Sequence, residues 1–244
     1  MLLEGVFMDF LNTAVGKVLS SGAVVNFFTV VLGSLVGILF KKGIPERLKT
    51  ALMTGMALCV LYIGITGLFE EQANIIIIIV SMGLGALIGE LIDLDRLVNQ
   101  LGKKLENAFG KGETKLAEGF VAATLLFCVG AMTIVGSINS GLEGDNSTLY
   151  SKAIIDGVAA VALTSSFGIG VIFSSLSVLV IQGSITLLAA FVAPILTEYA
   201  VEQMSVIGSL LIIALATNML GLTKIKVMNY ILAIFIPLII CLFI

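Results

Sequence analysis

Runs of roughly 20 predominantly apolar residues, parted by short charged or glycine-broken hinges, constrain this chain more than any other feature. Each run is about as long as a helix must be to cross a ~30 Å hydrocarbon core at 1.5 Å per residue. No water pairs with a bare N–H or C=O inside that core, so only helices and closed barrels can span it. The short alternating segments of a barrel are absent. Of the 244 residues, 59% are hydrophobic and 12% charged, against about 25% charged in a globular chain. The sequence predicts an all-α polytopic bundle, one integral membrane domain over residues 1–244.

The runs fall at about residues 22–40, 50–69, 74–92, 117–138, 153–169, 171–196, 205–222 and 227–244, eight spans in all. Residues 1–21 put Leu3, Phe7, Phe10, Leu11, Ala14 and Val18 on one helical face, the pattern of an interfacial or extended N-terminal helix. A basic start and a small-residue cleavage site are both missing, so this is not read as a secretory signal. Residues 94–109 repeat Leu94, Leu97, Leu101, Leu105 and Ala108 among Arg96, Lys103 and Lys104. That spacing predicts an amphipathic surface helix in the 94–116 segment, too polar to cross.

Charge placement orients the bundle. Of the 13 Lys and Arg, four lie in the hinge after span one, five between spans three and four, and two after span seven. With eight spans these three places share one side, which the positive-inside rule makes cytoplasmic, with both termini outside. Glu70, Glu71, Glu143, Asp145, Glu198 and Glu202 then fall on the outer side.

A weak internal echo runs through the chain. Gly33-Ser34, Pro45 and Gly67-Leu68 recur in order as Gly183-Ser184, Pro194 and Gly221-Leu222. Spans one to three (22–93) would then match spans six to eight (171–244), joined by connector spans in 117–170. Five spans separate equivalent members, an odd number, so the repeats would be inverted, as in many secondary transporters.

Several activities lose their chemistry. Histidine is missing, and with it the commonest metal ligand and general base. Cys59, Cys128 and Cys241 lie in apolar runs with neither disulfide nor zinc spacing. No phosphate-binding glycine motif is present. The reading is not an enzyme, with no cofactor, no metal and no nucleic-acid partner.

Glycine, serine and threonine concentrate in residues 127–177. Asp156 stands in or at the edge of an apolar run, where a charge costs roughly 2.5–3.5 kcal/mol at the bilayer centre. Such an acid is a functional candidate, and Lys152, one helical turn before it, is its natural partner. The alternative is an outer-interface salt bridge that ends the helix. Asn139, Ser140, Asp145 and Ser151 fall in a glycine-broken loop, 137–152, that either dips into the protein or stays solvated. Thr164 and Ser165 flank Gly168 and Gly170; their hydroxyls either face a polar path or bond back to helix carbonyls. Gln182, Asn218 and Asn26 are single amides in apolar spans, suited to interhelical hydrogen bonds or to a shared substrate site. Glu90 and Asp93 close span three, where a helix C-terminus disfavours anions and invites a cation such as Arg96 or a neighbouring helix end. Gly33-x-x-x-Gly37 and Gly85-x-x-x-Gly89 are close-packing motifs, within one subunit or across a homodimer.

The stretches VVNFFTVVLGSLVG, GALIGELIDLD, EGFVAATLLFCVGAMTIVGS, GLEGDNSTLYSKAIIDG and FGIGVIFSSLSVLVIQG resemble the prokaryotic multi-spanning membrane proteins grouped as domain of unknown function 554. The resemblance runs from about Val24 to Leu222 and implies a bacterial or archaeal inner membrane. It implies no activity. From the residues, the expected function is a small-solute or ion secondary transporter or permease in the lipid bilayer. The alternative is a non-transporting membrane scaffold or sensor.

Overall fold

A computed structural model describes residues 21–41, 46–100 and 116–242, which form helices and turns without a strand. The interfacial helix expected in 1–21 and most of the amphipathic helix expected in 94–109 lie outside the described residues; residues 94–100 are helical.

The helices are α1 (Gly22–Lys41), α2 (Glu46–Thr66), α3 (Ile75–Ile92), α4 (Leu116–Cys128), α5 (Ala131–Leu142), α6 (Ser147–Phe167), α7 (Ser174–Leu187), α8 (Ala189–Val192), α9 (Glu198–Met219) and α10 (Ile236–Cys241). Two 3₁₀ segments, Ile169–Phe173 and Val227–Phe235, precede α7 and α10. Among the described residues, four segments are long and apolar enough to cross a membrane, Gly22–Leu39, Ile75–Ile92, Ile169–Leu187 and Glu198–Met219. The bent pair α4–α5 makes a fifth if its two halves form one span.

Local chemistry moves several predicted boundaries. Asn74 starts α3 by accepting hydrogen bonds from the N–H groups of Ile76 and Ile77, at 3.0 and 3.4 Å. The Thr197 hydroxyl accepts from the Ala200 N–H, so α9 begins at Glu198, well before residue 205. The run read as one span over 117–138 is broken, because Gly130 takes φ +127° and α4 and α5 meet at a bend of 58°. The loop expected over 137–152 shrinks to residues 143–146, since α5 continues to Leu142 and α6 starts at Ser147.

Glycines set the crossings. Gly33 faces the Gly157 carbonyl and Gly37 faces Val161 and Thr164, so α1 and α6 run side by side in the same direction. A Cβ at Gly37 would sit 2.6 Å from the Val161 carbonyl oxygen. Gly85 meets Ala233 and Gly89 meets Asn229, which makes α3 antiparallel to the last 3₁₀ segment. Gly64 and Gly67 bring α2 against Ile213 and Ser209 of α9, again antiparallel. The core runs through Phe127, Leu163, Val171, Ile207 and Leu211. Ile76, Ile79, Leu87, Leu91, Ile154 and Val158 face outward, an apolar surface that a bilayer covers.

These contacts define two ends. At one, the Asn146 side chain accepts from the Gly22 N–H, and Gln72 and Asn74 meet Glu202 and Gln203. Glu70, Glu71, Glu143 and Asp145 lie in the turns there, and Glu198 opens α9. At the other, Lys226 meets Glu90 and the start of α4 meets Gly170.

Candidate functional site at the crossing of α1 and α6

Lys152 and Asp156 lie one turn apart on the face of α6 that meets α1. The Lys152 Nζ donates to Asp156 Oδ1 at 2.9 Å and Oδ2 at 2.8 Å. Both are buried, 6% and 3% exposed. The pair stands within a helix that continues to Phe167, so it does not end that helix, as the salt-bridge alternative supposed.

The amides around the pair take their orientation from it. An ionised carboxylate only accepts, so Asn26 turns its NH₂ toward Asp156 Oδ2, at 2.8 Å. The same nitrogen lies 3.4 Å from Gln182 Oε1 of α7. Gln182 must therefore point its own NH₂ away, and its Nε2 is buried without a hydrogen-bond partner. One turn further along α7 the Thr186 hydroxyl is in the same state. Cys128, beside the break between α4 and α5, lies within electrostatic reach of both charges.

The structure thus brings together Lys152, Asp156, Gln182 and Asn26, and disperses the other candidates. Ser140 donates to Asn146 Oδ1 at 2.7 Å, in a knot that ties the 143–146 turn to α1. Asp145 is exposed and accepts from the Ser147 N–H, which holds its carboxyl below the usual range. Asn139 lies in α5 rather than in a loop, and its carbonyl accepts from the Glu143 N–H. Ser165 bonds back to the Ala162 carbonyl, the alternative given for it, and Ser151, in α6 rather than in a loop, bonds back to the Ser147 carbonyl. Thr164 is buried against Gly37 with its hydroxyl unpaired. Asn218 clasps its own turn, taking Ile225 N–H at 2.9 Å and giving to Ile225 O at 2.7 Å.

Glu90 and Asp93 find Lys226 rather than Arg96. Lys226 Nζ lies 3.0 Å from Glu90 and 4.0 Å from Asp93, because the 220–226 turn folds over the end of α3. Hydrogen bonding to Glu90 raises the Lys226 ammonium above its ordinary range. Asn229 completes a second Asn–carboxylate–Lys group, donating to Glu90 and accepting from the Asp95 N–H at 2.7 Å. Neither Asn229 nor Gln203 stands among the sequence candidates; Asn229 is a lone amide in an apolar run, the signal that marked Asn26, whereas Gln203 follows Glu202 ahead of its run. Gln203 donates to the Gln72 carbonyl at 2.8 Å and fastens the 70–74 turn to α9.

A cavity of about 590 Å³ opens at the Lys226 end, lined by Asp95, Asn99, Glu118, Phe167, Asn218 and Lys226 among others. Burial raises the Asp95 carboxyl there. Phe167 in its wall is eleven residues from Asp156, about 16 Å along α6. A smaller apolar cavity of about 80 Å³ lies between Cys128, Gly130, Ile134, Ile181 and Ile185. Asp156 lines neither cavity.

The family model described as "Protein of unknown function (DUF554)" matches residues 21–242. The chain is 32% identical over 219 residues to "Uncharacterized membrane protein YdfK" of Bacillus subtilis, covering 88% of this chain and 93% of that protein. It is 32% identical over 213 residues to "Uncharacterized protein YqgA" of Escherichia coli, covering 85% and 90% respectively. No solved structure matches.

Proposed function

Because the chain belongs to the DUF554 family of membrane proteins, whose relatives' names carry no activity, we propose from its geometry that it is a small-solute secondary transporter or permease. One observation carries this reading. A buried lysine–carboxylate pair, linked to a buried amide with an unpaired nitrogen, stands beside a helix broken between two turns. Charges inside a membrane bundle are costly, and where they occur they mark ion and proton paths. Discontinuous helices at such a site are a recurring plan of transporters. In this reading the 590 Å³ cavity, with Phe167 in its wall, serves as the inner vestibule.

In the same reading the protein is a multi-pass protein of the prokaryotic inner membrane with eight traverses and both termini outside. The gathering of acids in the turns of one end, with Lys224 and Lys226 at the other, supports that orientation. Inverted repeats and a homodimer belong to the same proposal, as does the absence of enzymatic activity. A second reading, a membrane scaffold or sensor, is favoured by one fact: Asp156 is fully paired and lines neither cavity.

The full chain reconstituted in liposomes loaded with a pH dye decides between them. Imposed sodium, potassium, chloride and pH gradients should each be tested for protein-dependent proton or ion movement. Proton movement above protein-free liposomes, lost in Asp156→Asn, supports transport. A monodisperse protein that moves none of these ions points to the scaffold.

A further inference from the structure

Resting on the transport reading, we propose that the Lys152–Asp156–Gln182 cluster is a site for one proton and one small monovalent anion that bind together. The argument starts from an imbalance. Asp156 spends both oxygens on Lys152 and Asn26, and Asn26 spends its NH₂ on Asp156 and Gln182. Gln182 cannot be turned around, because its NH₂ would then face the NH₂ of Asn26. Its Nε2, on a side chain 0% exposed, is left as a donor with nothing to receive it. Two of the three Lys152 N–H groups are committed to Asp156, and the Thr186 hydroxyl one turn beyond Gln182 has no partner. At Gln182 the missing partner is an acceptor. The unmet group is an amide NH₂, which a cation cannot satisfy and an anion can.

Net charge then fixes the coupling. As it stands the pair is neutral, and an anion added to it would be an unpaired charge in an apolar medium. A proton on Asp156 changes the sign of the balance: the O–H forms, the carboxylate ceases to hold the ammonium, and Lys152 is free to pair with the anion. Proton and anion enter together, the occupied site is neutral overall, and on release the proton leaves Asp156 and the ion pair re-forms. Among the described residues, the elements around the pair add no competing charge. α1 contributes Asn26, α4 contributes Cys128, and α5 and α7 carry no ionisable side chain, while α2 turns Cys59 and Tyr62 outward.

The test uses the full chain in liposomes holding a pH dye, with potassium and valinomycin clamping the potential at zero. An inward chloride or nitrate gradient should acidify the lumen, and a gluconate gradient should not. Gln182→Leu should slow the acidification several-fold, and Asp156→Asn should abolish it while radiolabelled chloride exchange persists. Gln182→Glu, which places an acceptor where the anion would sit, should be as slow as Gln182→Leu and covers the case in which the leucine variant fails to fold. Acidification driven by sodium or potassium but indifferent to the anion overturns this inference and leaves transport standing, with water as the buried occupant. A monodisperse protein that moves no ion at all overturns both. Wild-type chloride-driven acidification in both Gln182 variants overturns the site.

Discussion

The Nδ2 of Asn26 lies 2.8 Å from Oδ2 of Asp156, joining α1 to α6 across 130 positions of sequence. Asn26 lies two turns before Gly33, where the two backbones touch, so a polar clasp and a close crossing fix the same helix pair.

Removing one partner of the buried pair should hurt more than removing both. Asp156→Leu or Lys152→Met strands a charge in an apolar interior, at a cost of roughly 3–5 kcal/mol. The double variant Lys152→Met/Asp156→Leu should recover most of that. Thermal unfolding of the purified protein in detergent measures all three, and singles as stable as the double would contradict the burial described.

Gly37→Leu should part α1 from α6. The added Cβ would approach the Val161 carbonyl oxygen to 2.6 Å and the Thr164 Cβ to 2.7 Å, backbone and β-branched neighbours with little room to yield. Overpacking of this kind costs about 1–3 kcal/mol or more. Gly55→Leu, where nothing lies within 4 Å, should leave the melting temperature unchanged.

The Lys226–Glu90 contact should weaken on the alkaline side. Its folded ammonium is raised above the usual value of 10.5, so the clasp is fully present below that pH and is lost as pH rises through the higher folded value. Hydrogen exchange of the Val227–Phe235 segment should accelerate there and, at neutral pH, in Lys226→Met. Both groups are half exposed or more, so high salt should blunt the difference.

Turn residues should label from opposite sides. In a background with Cys59, Cys128 and Cys241 replaced, Glu71→Cys and Glu143→Cys should react with an impermeant maleimide in intact cells, and Lys224→Cys only in inverted vesicles. Labelling of Lys224→Cys and Glu143→Cys from one side would refute the proposed count of traverses.

Part of the site was legible before folding. Lys152 and Asp156 are the only charged residues between Asp145 and Glu198, and spacing of i, i+4 already pairs them on a helix. Asn218 and Gln182 look alike in sequence, each a lone amide in an apolar run. The structure separates them, since Asn218 is consumed by the turn that follows it and Gln182 faces another helix. Glu90 likewise takes Lys226, 136 positions away, over the nearer Arg96, because the partner is chosen by which turn folds over the helix end.

Sequence by itself determined the solvent and the backbone: long apolar runs admit only helices in lipid, and glycine spacing marked where helices can approach. Tertiary structure decided which crossing each glycine serves, where the fourth run breaks, and that Asn26, 130 positions away, completes the coordination of Asp156. Hydropathy and periodicity depend on neighbours along the chain, whereas a hydrogen bond depends on distance and direction in space. A lone amide in a hydrophobic run announces that it needs a partner, and only the packed bundle says which one it has.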